Sequence, residues 1–228
     1  MSNIMSRYVD DNGKIDYEKA SLFNEVQLSV IDLKNFDLAE LKSRNDKIAF
    51  WINTYNLLAI YGVISQLKNK PGFGKKGLKG VLQKVSFFSK KKYIIAGDLY
   101  SLSSIENKIL RRKLKEPRIH FALVCGASSC PILKDGLYSS DNLNSELNLA
   151  SKLFINSSGG VELNKDNNVI HLSKIFKWYR KDFGGDKKSV LNFISRYHDE
   201  GTYIKENASA LRIAYLKYDW EISGQEKY

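Results

Sequence analysis

Cysteine and histidine are scarce in this chain: two and three respectively in 228 residues. Two thiols are too few for the disulfide framework of a small secreted scaffold. Cys125 and Cys130, five positions apart, can form one bridge at most. With His120, His171 and His198 scattered, no zinc-like ligand spacing results, and neither a metal site nor a cofactor is expected. There is no P-loop string, no HExxH and no GxSxG. This removes the clearest signatures of P-loop nucleotide hydrolases, zinc proteases and α/β-hydrolases. No apolar run reaches membrane-spanning length, so no span is expected, and no apolar leader-like stretch precedes Tyr8. The expected compartment stays open between cytoplasmic and secreted with a leader removed, and the oligomeric state is not legible.

Acids are missing from one region. Leu67 to Gly97 holds nine lysines and no Asp or Glu, and so supplies most of the net charge of +11. A cluster such as Lys68–Lys92 can meet an anionic partner, nucleic acid included. It contains no Arg, the better reader of bases. Gly72, Gly74, Gly77 and Gly80 punctuate it, which suits an exposed, solvated excursion over residues 67–92.

What is present is an ordinary globular composition, 43% hydrophobic and 12% aromatic, in a chain long enough to bury a core without staples. The strongest element is a helix over Asp46–Gln66. Ile48, Trp51, Ile52, Tyr55, Ala59, Gly62 and Val63 mark one face, and Phe50, Leu57, Leu58, Ile60 and Ile64 cover much of the rest. A helix apolar nearly all round is a buried central helix. Asn53 and Asn56 lie inside it one turn apart, and each needs a partner there. They are expected either to bond nearby loop backbone or to hold a catalytic group or substrate.

Around that helix the sequence predicts an entry turn at Asn12-Gly13, helices from about Tyr17 and over Asn24–Leu33, and an Asp37 cap on Leu38–Arg44. Val85–Phe88 reads as a short strand, and Tyr93–Ala96 and Leu99–Ser101 as a hairpin turning at Gly97-Asp98. Ser103 and Glu106 fit a capping box on a helix Ser104–Leu114. Asp141 and Ser173 cap later helices, Val161–Leu163 and Val169–Leu172 form a hairpin, Lys188–Tyr197 is helical, and Arg212–Trp220 is a final strand. Helices and antiparallel hairpins without a βαβ beat indicate an α+β class. The expected architecture is a single domain over 1–228, with the central helix packed on a small, mainly antiparallel sheet and surrounded by helices.

Both cysteines sit in Arg118–Ile132. Ile119–Val124 is an apolar run that reads as a buried strand, and Gly126–Ser129 is a small polar loop. Cys125 is a candidate nucleophile, His120 a candidate base, and Glu106 a candidate partner for His120. Consecutive N–H groups from Gly126 to Ser129 suit an oxyanion. Five residues of straight strand span roughly 16 Å, and odd separations face opposite ways. A direct His120–Cys125 pair therefore needs a bend after Val124. Cys130 can equally fold back and bridge to Cys125.

The chain resembles the Domain of Unknown Function 547 family. The residues that carry the resemblance are Tyr8-Val-Asp, Gly13, Asp16-Tyr17, Phe50–Asn56, Leu102–Arg111, Arg118–Pro131, Ser173–Gly184 and Tyr218-Asp-Trp220. The resemblance implies one α+β domain with Asn53, Asn56, Glu106, His120, Cys125 and Cys130 on signature positions. It also implies a distant likeness to papain- and transglutaminase-like enzymes, from which this chain departs by carrying Asn53 where such an enzyme places its cysteine. The expected function is a cysteine-dependent hydrolase or acyl-transfer enzyme acting on a peptide or small acyl substrate. In it Cys125 attacks, His120 is the base, Glu106 orients it, and Gly126, Ser129, Cys130, Asn53 and Asn56 hold substrate or oxyanion. The alternatives are a non-catalytic binding domain with a loop stiffened by a Cys125–Cys130 disulfide, and an anion or nucleic-acid binder acting through the lysine segment.

Overall fold

A long helix with almost no solvent face organises the first part of the chain. In the computed structural model, which describes residues 15, 17, 20–69 and 81–222, this helix (α2) runs Arg44–Asn69, longer than expected at both ends. Its start is set by a reciprocal cap: the Asp46 N–H donates to Ser43 Oγ (2.9 Å) and the Ser43 N–H to Asp46 Oδ2 (2.7 Å). Hydrogen bonding from Ser140, and then from Ser43, holds the Asp46 carboxyl down at about 2. Asp46 in the first turn and Lys68 in the last complement the helix dipole. Trp51 is 5% exposed and Ile48, Ile52, Leu58 and Val63 are fully buried. Among the described residues α2 is the one helix long and apolar enough to cross a membrane, and 78% of its most apolar window is buried, as in a core helix.

The class is α+β, with small, mainly antiparallel sheets. The residues gather into two compact units. One comprises Met1–Lys115, Ala122–Leu143 and Asp219–Tyr228, the other Glu116–Phe121 and Asn144–Tyr218.

In the first unit α2 is joined by α1 (Ala20–Asp32), by α3 (Val81–Val85, continuing through π-turns Ser86–Lys90), by the hairpin β1–β2 (Tyr93–Ile95 and Asp98–Tyr100), and by α4 (Leu102–Ser104, continuing with π geometry over Ile105–Lys113). The helix meets the hairpin through side chains. The Tyr93 hydroxyl donates to Leu58 O at 3.4 Å, and Trp51 lies 5.1 Å from Tyr100 between ring centroids. Gly62 permits this approach, because a Cβ there would stand 3.2 Å from the Tyr93 hydroxyl, and 2.9 Å from the Phe87 ring that follows α3. The hairpin turns at Ala96-Gly97, both at positive φ, one residue earlier than expected.

The second unit holds α5 (Leu143–Ile155) and a three-stranded sheet. In that sheet β3 (Val161–Asn164) pairs antiparallel with β4 (Val169–Leu172), and β4 pairs parallel with β5 (Arg212–Tyr215). A parallel pair needs a long crossover. Here it carries α6 (Lys174–Trp178), α7 (Lys187–Ile194) and α8 (Gly201–Glu206).

Several expected elements differ. Ile119–Val124 is not a strand: Pro117–Phe121 is a 3₁₀ turn, Ala122 continues the turn, and Leu123–Val124 are irregular and belong to no strand. Val85–Phe88 is helical, and burying Phe87 at 2% exposure satisfies its apolar side without a sheet. The capping box on α4 is made by Ser101 and Ser104, not Ser103 and Glu106. The two helices expected near residues 17–33 are one helix and a 3₁₀ turn, Leu33–Asn35. Asp37 does cap, but only the short turn Leu38–Glu40. Helix α8 was not expected. The turn at Asn12-Gly13 and the lysine segment from residue 70 to 80 lie outside the described residues. The string Gly72-Phe-Gly-Lys-Lys-Gly77 matches GxGxxG in letters, yet it follows helix α2 rather than a strand. It therefore lacks the context of a dinucleotide-binding turn.

Candidate functional site

Asn53 and Asn56 work as two backbone clamps on the buried side of α2. Asn56 is 1% exposed. Its Nδ2 donates to Ala122 O (2.9 Å), and its Oδ1 accepts from the Val124 N–H (2.9 Å). Asn53 does the same for Tyr138, donating to its carbonyl (2.8 Å) and accepting from its N–H (3.0 Å). One edge of a side-chain amide presents an N–H donor and a carbonyl acceptor side by side, the same pair a neighbouring strand would offer. This is why Ala122–Val124 needs no sheet. Of the two roles expected for these asparagines, loop holding is what the hydrogen bonds show.

The Asn56 clamp delivers the chain into the loop Cys125–Cys130. The two cysteines are joined by a disulfide, with Cα atoms 6.1 Å apart. In that state neither sulfur is a nucleophile, because attack requires a thiolate. The Cys125 N–H donates to Cys130 Sγ (2.9 Å), and the Cys130 N–H to Ala127 O (2.9 Å). Gly126 has φ +82°, and a Cβ there would stand 2.8 Å from Val63 Cγ2. Both the turn and the close approach to α2 require glycine. Burial drives the hydroxyl of nearby Tyr17 upward in pKa.

The loop is also tied to the segment 219–222. Ala127 forms an antiparallel bridge with Ile222. The Ser128 N–H donates to Glu221 O (2.8 Å) and the Ser129 N–H to Asp219 O (3.3 Å), while the Asp219 N–H donates to Ser129 Oγ (2.8 Å). Two of the four N–H groups expected to form an oxyanion nest, those of Ser128 and Ser129, are therefore engaged with the segment 219–222 in this arrangement. The Cys130 N–H beside them likewise has a carbonyl acceptor, Ala127 O.

His120 belongs to the second unit, on the turn Pro117–Phe121. Its Nε2 lies 2.7 Å from Asp182 Oδ2, and its ring stacks on Tyr179 with centroids 3.9 Å apart. His120 is 4% exposed. The next residue, Phe121, enters a ring cluster of Phe154, Phe176, Phe183 and Phe193 at centroid distances of 5.2, 5.6, 5.8 and 6.1 Å. Arg118 fixes the turn: Nε donates to Glu116 Oε1 (2.7 Å) and Nη2 to Glu116 Oε2 (2.8 Å), a bidentate pair that raises the Arg118 pKa.

The carboxylate bonded to His120 is thus that of Asp182, a residue missed in the sequence although it lies inside Ser173–Gly184. Glu106 itself is 8% exposed and takes no part in the capping box of α4. Two lysines expected to be solvated are engaged with rings. Lys84 Nζ lies 3.5 Å from the Trp220 centroid, and Lys91 Nζ 5.0 Å from that of Tyr61, with burial lowering the Lys91 pKa. No cluster of three or more His, Cys, Asp or Glu able to hold a metal occurs among the described residues. A family model described as "Protein of unknown function, DUF547" matches residues 38–155. No curated protein and no solved structure matches the chain.

Proposed function

The chain belongs to the DUF547 family, whose description names no activity, and from that premise we propose that it is a binding domain whose recognition element is the loop Cys125–Cys130. The observation that carries this reading is how the loop is held. It is closed by the disulfide, clamped at Val124 by Asn56, and paired through Ala127–Ser129 with the segment 219–222. A loop ordered in advance loses little entropy when a ligand arrives. Ser128 is exposed on it, and Ile132, just beyond, is 52% exposed. A polar and an apolar contact side by side suit a peptide.

One observation favours a second reading, a cysteine-dependent hydrolase or acyl-transfer enzyme. His120 is held by Asp182 as the general base of a nucleophilic site is held. That chemistry requires Cys125 reduced to a thiolate. Binding of an anionic partner through the lysine segment is a third reading, and its signature is a steep salt dependence.

The test is to pan a random peptide library on the unreduced chain. Enriched peptides are then measured against the Cys125→Ser/Cys130→Ser double variant. The binding reading expects affinity to fall about tenfold or more when the loop is opened. It is contradicted by unchanged affinity, or by a burst of p-nitrophenol from p-nitrophenyl acetate that appears on reduction and is absent in Cys125→Ser.

A further inference from the structure

Strand β5 ends its sheet: the order is β3-β4-β5, and among the described residues no strand pairs with its outer edge. The ladder with β4 fixes which peptide groups face that edge. The Arg212 N–H donates to Asn168 O (2.8 Å) and the Leu216 N–H to Leu172 O (2.9 Å), while Ile170 stands in register with Ile213. Both peptide groups of a strand residue point to the same side, and successive residues alternate. Residues 212, 214 and 216 therefore serve β4, and the N–H and C=O of Ile213 and Tyr215 point outward. Such a row is a template for one more strand.

The charge along the edge selects which strand. Arg212 and Lys217 are exposed, and no acid occurs from Asn207 to Tyr218. The exposed Lys177 of α6 holds its Nζ 5.4 Å from the Tyr215 ring centroid. The one acid on the three strands is Glu162, on β3 at the far side of the sheet. A second copy of β5 would bring like charges together, which is how natural sheet edges avoid pairing with themselves. An acidic strand meets opposite charges instead. Tyr215 is 36% exposed and Trp178, next to Lys177, 44%; such rings receive the apolar side chains of a partner. We propose that the outer edge of β5 is a docking site for an acidic peptide in extended conformation, which joins the sheet as its fourth strand. The proposal does not rest on the Cys125–Cys130 loop, which belongs to the other compact unit. Main-chain hydrogen bonds to Ile213 and Tyr215 carry the affinity, and Lys177, Arg212 and Lys217 favour carboxylates.

The test uses the full chain and a blocked, fluorescein-labelled peptide of alternating glutamate and valine, about eight residues long so that it outreaches the strand. Binding is followed by fluorescence anisotropy. The peptide is expected to bind. The same sequence N-methylated at every residue keeps the charge and loses the donors, and is expected to bind about tenfold more weakly or worse. Arg212→Gln/Lys217→Gln, with its fold checked by circular dichroism, is expected to weaken binding by about the same factor. The N-methylated peptide needs no variant, and decides the question if that one fails to fold. In amide exchange followed by NMR, the peptide is expected to slow Ile213 and Tyr215 and to leave Ala214, whose N–H already serves β4, unchanged. Absence of binding, equal affinity for the N-methylated peptide, or equal affinity of the folded double variant overturns the proposal. So does unchanged exchange at Ile213 and Tyr215, or a thymidine oligonucleotide of the same charge that binds as tightly.

Discussion

Ile119–Phe121 and Ala122–Val124 are neighbours in one apolar run, yet they are built in different ways and belong to different compact units. The first three residues close a 3₁₀ turn on their own backbone, with the Ile119 N–H donating to Glu116 O at 3.3 Å, and Phe121 goes into a ring cluster. The second three are irregular, and two of their peptide groups, the Ala122 carbonyl and the Val124 N–H, are met by the amide of Asn56. Burial is the same in both: every residue from Ile119 to Val124 is at most 7% exposed. The difference lies in who satisfies the backbone. An apolar run dictates that a segment is buried, and leaves open whether its hydrogen bonds go to its own turn, to a sheet or to a side chain.

The comparison can be broken at each half. The largest effect is expected from Phe121→Ala, which removes the ring shared by four phenylalanines and should cost about 3–5 kcal/mol in urea denaturation. Next is Asn56→Ala, which leaves the buried Ala122 carbonyl and Val124 N–H unpaired, at about 1–3 kcal/mol for each group. Asn56→Asp should not recover the loss at pH 7, because it buries an unpaired carboxylate against the Ala122 carbonyl oxygen. Opening the bridge in Cys125→Ser/Cys130→Ser should cost about 2 kcal/mol, the chain-entropy value for so short a loop. The smallest loss is expected for Asp182→Ala, about 1–2 kcal/mol for the bond to His120. It should leave the hydrogen-exchange protection of Val124 unchanged, whereas Asn56→Ala should abolish it.

Much of the frame was legible. Helix α2 follows from its apolar faces, although the Ser43–Asp46 cap that sets its start was not read, and Trp51 is in the core as its position in the pattern requires. The hairpin β3–β4 and the Ser173 cap follow from alternation and cap chemistry. Asn53 and Asn56 were singled out because buried amides need partners, and they have them. What was not legible depends on residues far apart in sequence. Asn56 pairs with positions 66 and 68 residues away, Asp182 reaches His120 across 62, and the loop donors find Asp219 and Glu221 about 90 residues on. No periodicity records such partners. Val85–Phe88 failed for another reason: β-branched and aromatic residues favour strands only where a pleated surface receives them, and here the helix Arg44–Asn69 receives Phe87 at Gly62.

The central claim is that the Cys125–Cys130 bridge closes the loop, and the most direct measurement is a thiol count. The chain, purified without reductant, is unfolded in guanidinium with excess N-ethylmaleimide at pH 7, and its intact mass is measured. The bridge predicts no added label, and two labels after prior reduction with tris(carboxyethyl)phosphine. Two labels without reduction, on a chain whose Cys125 reactivity before unfolding is lost in His120→Ala, would contradict the account and favour the nucleophile.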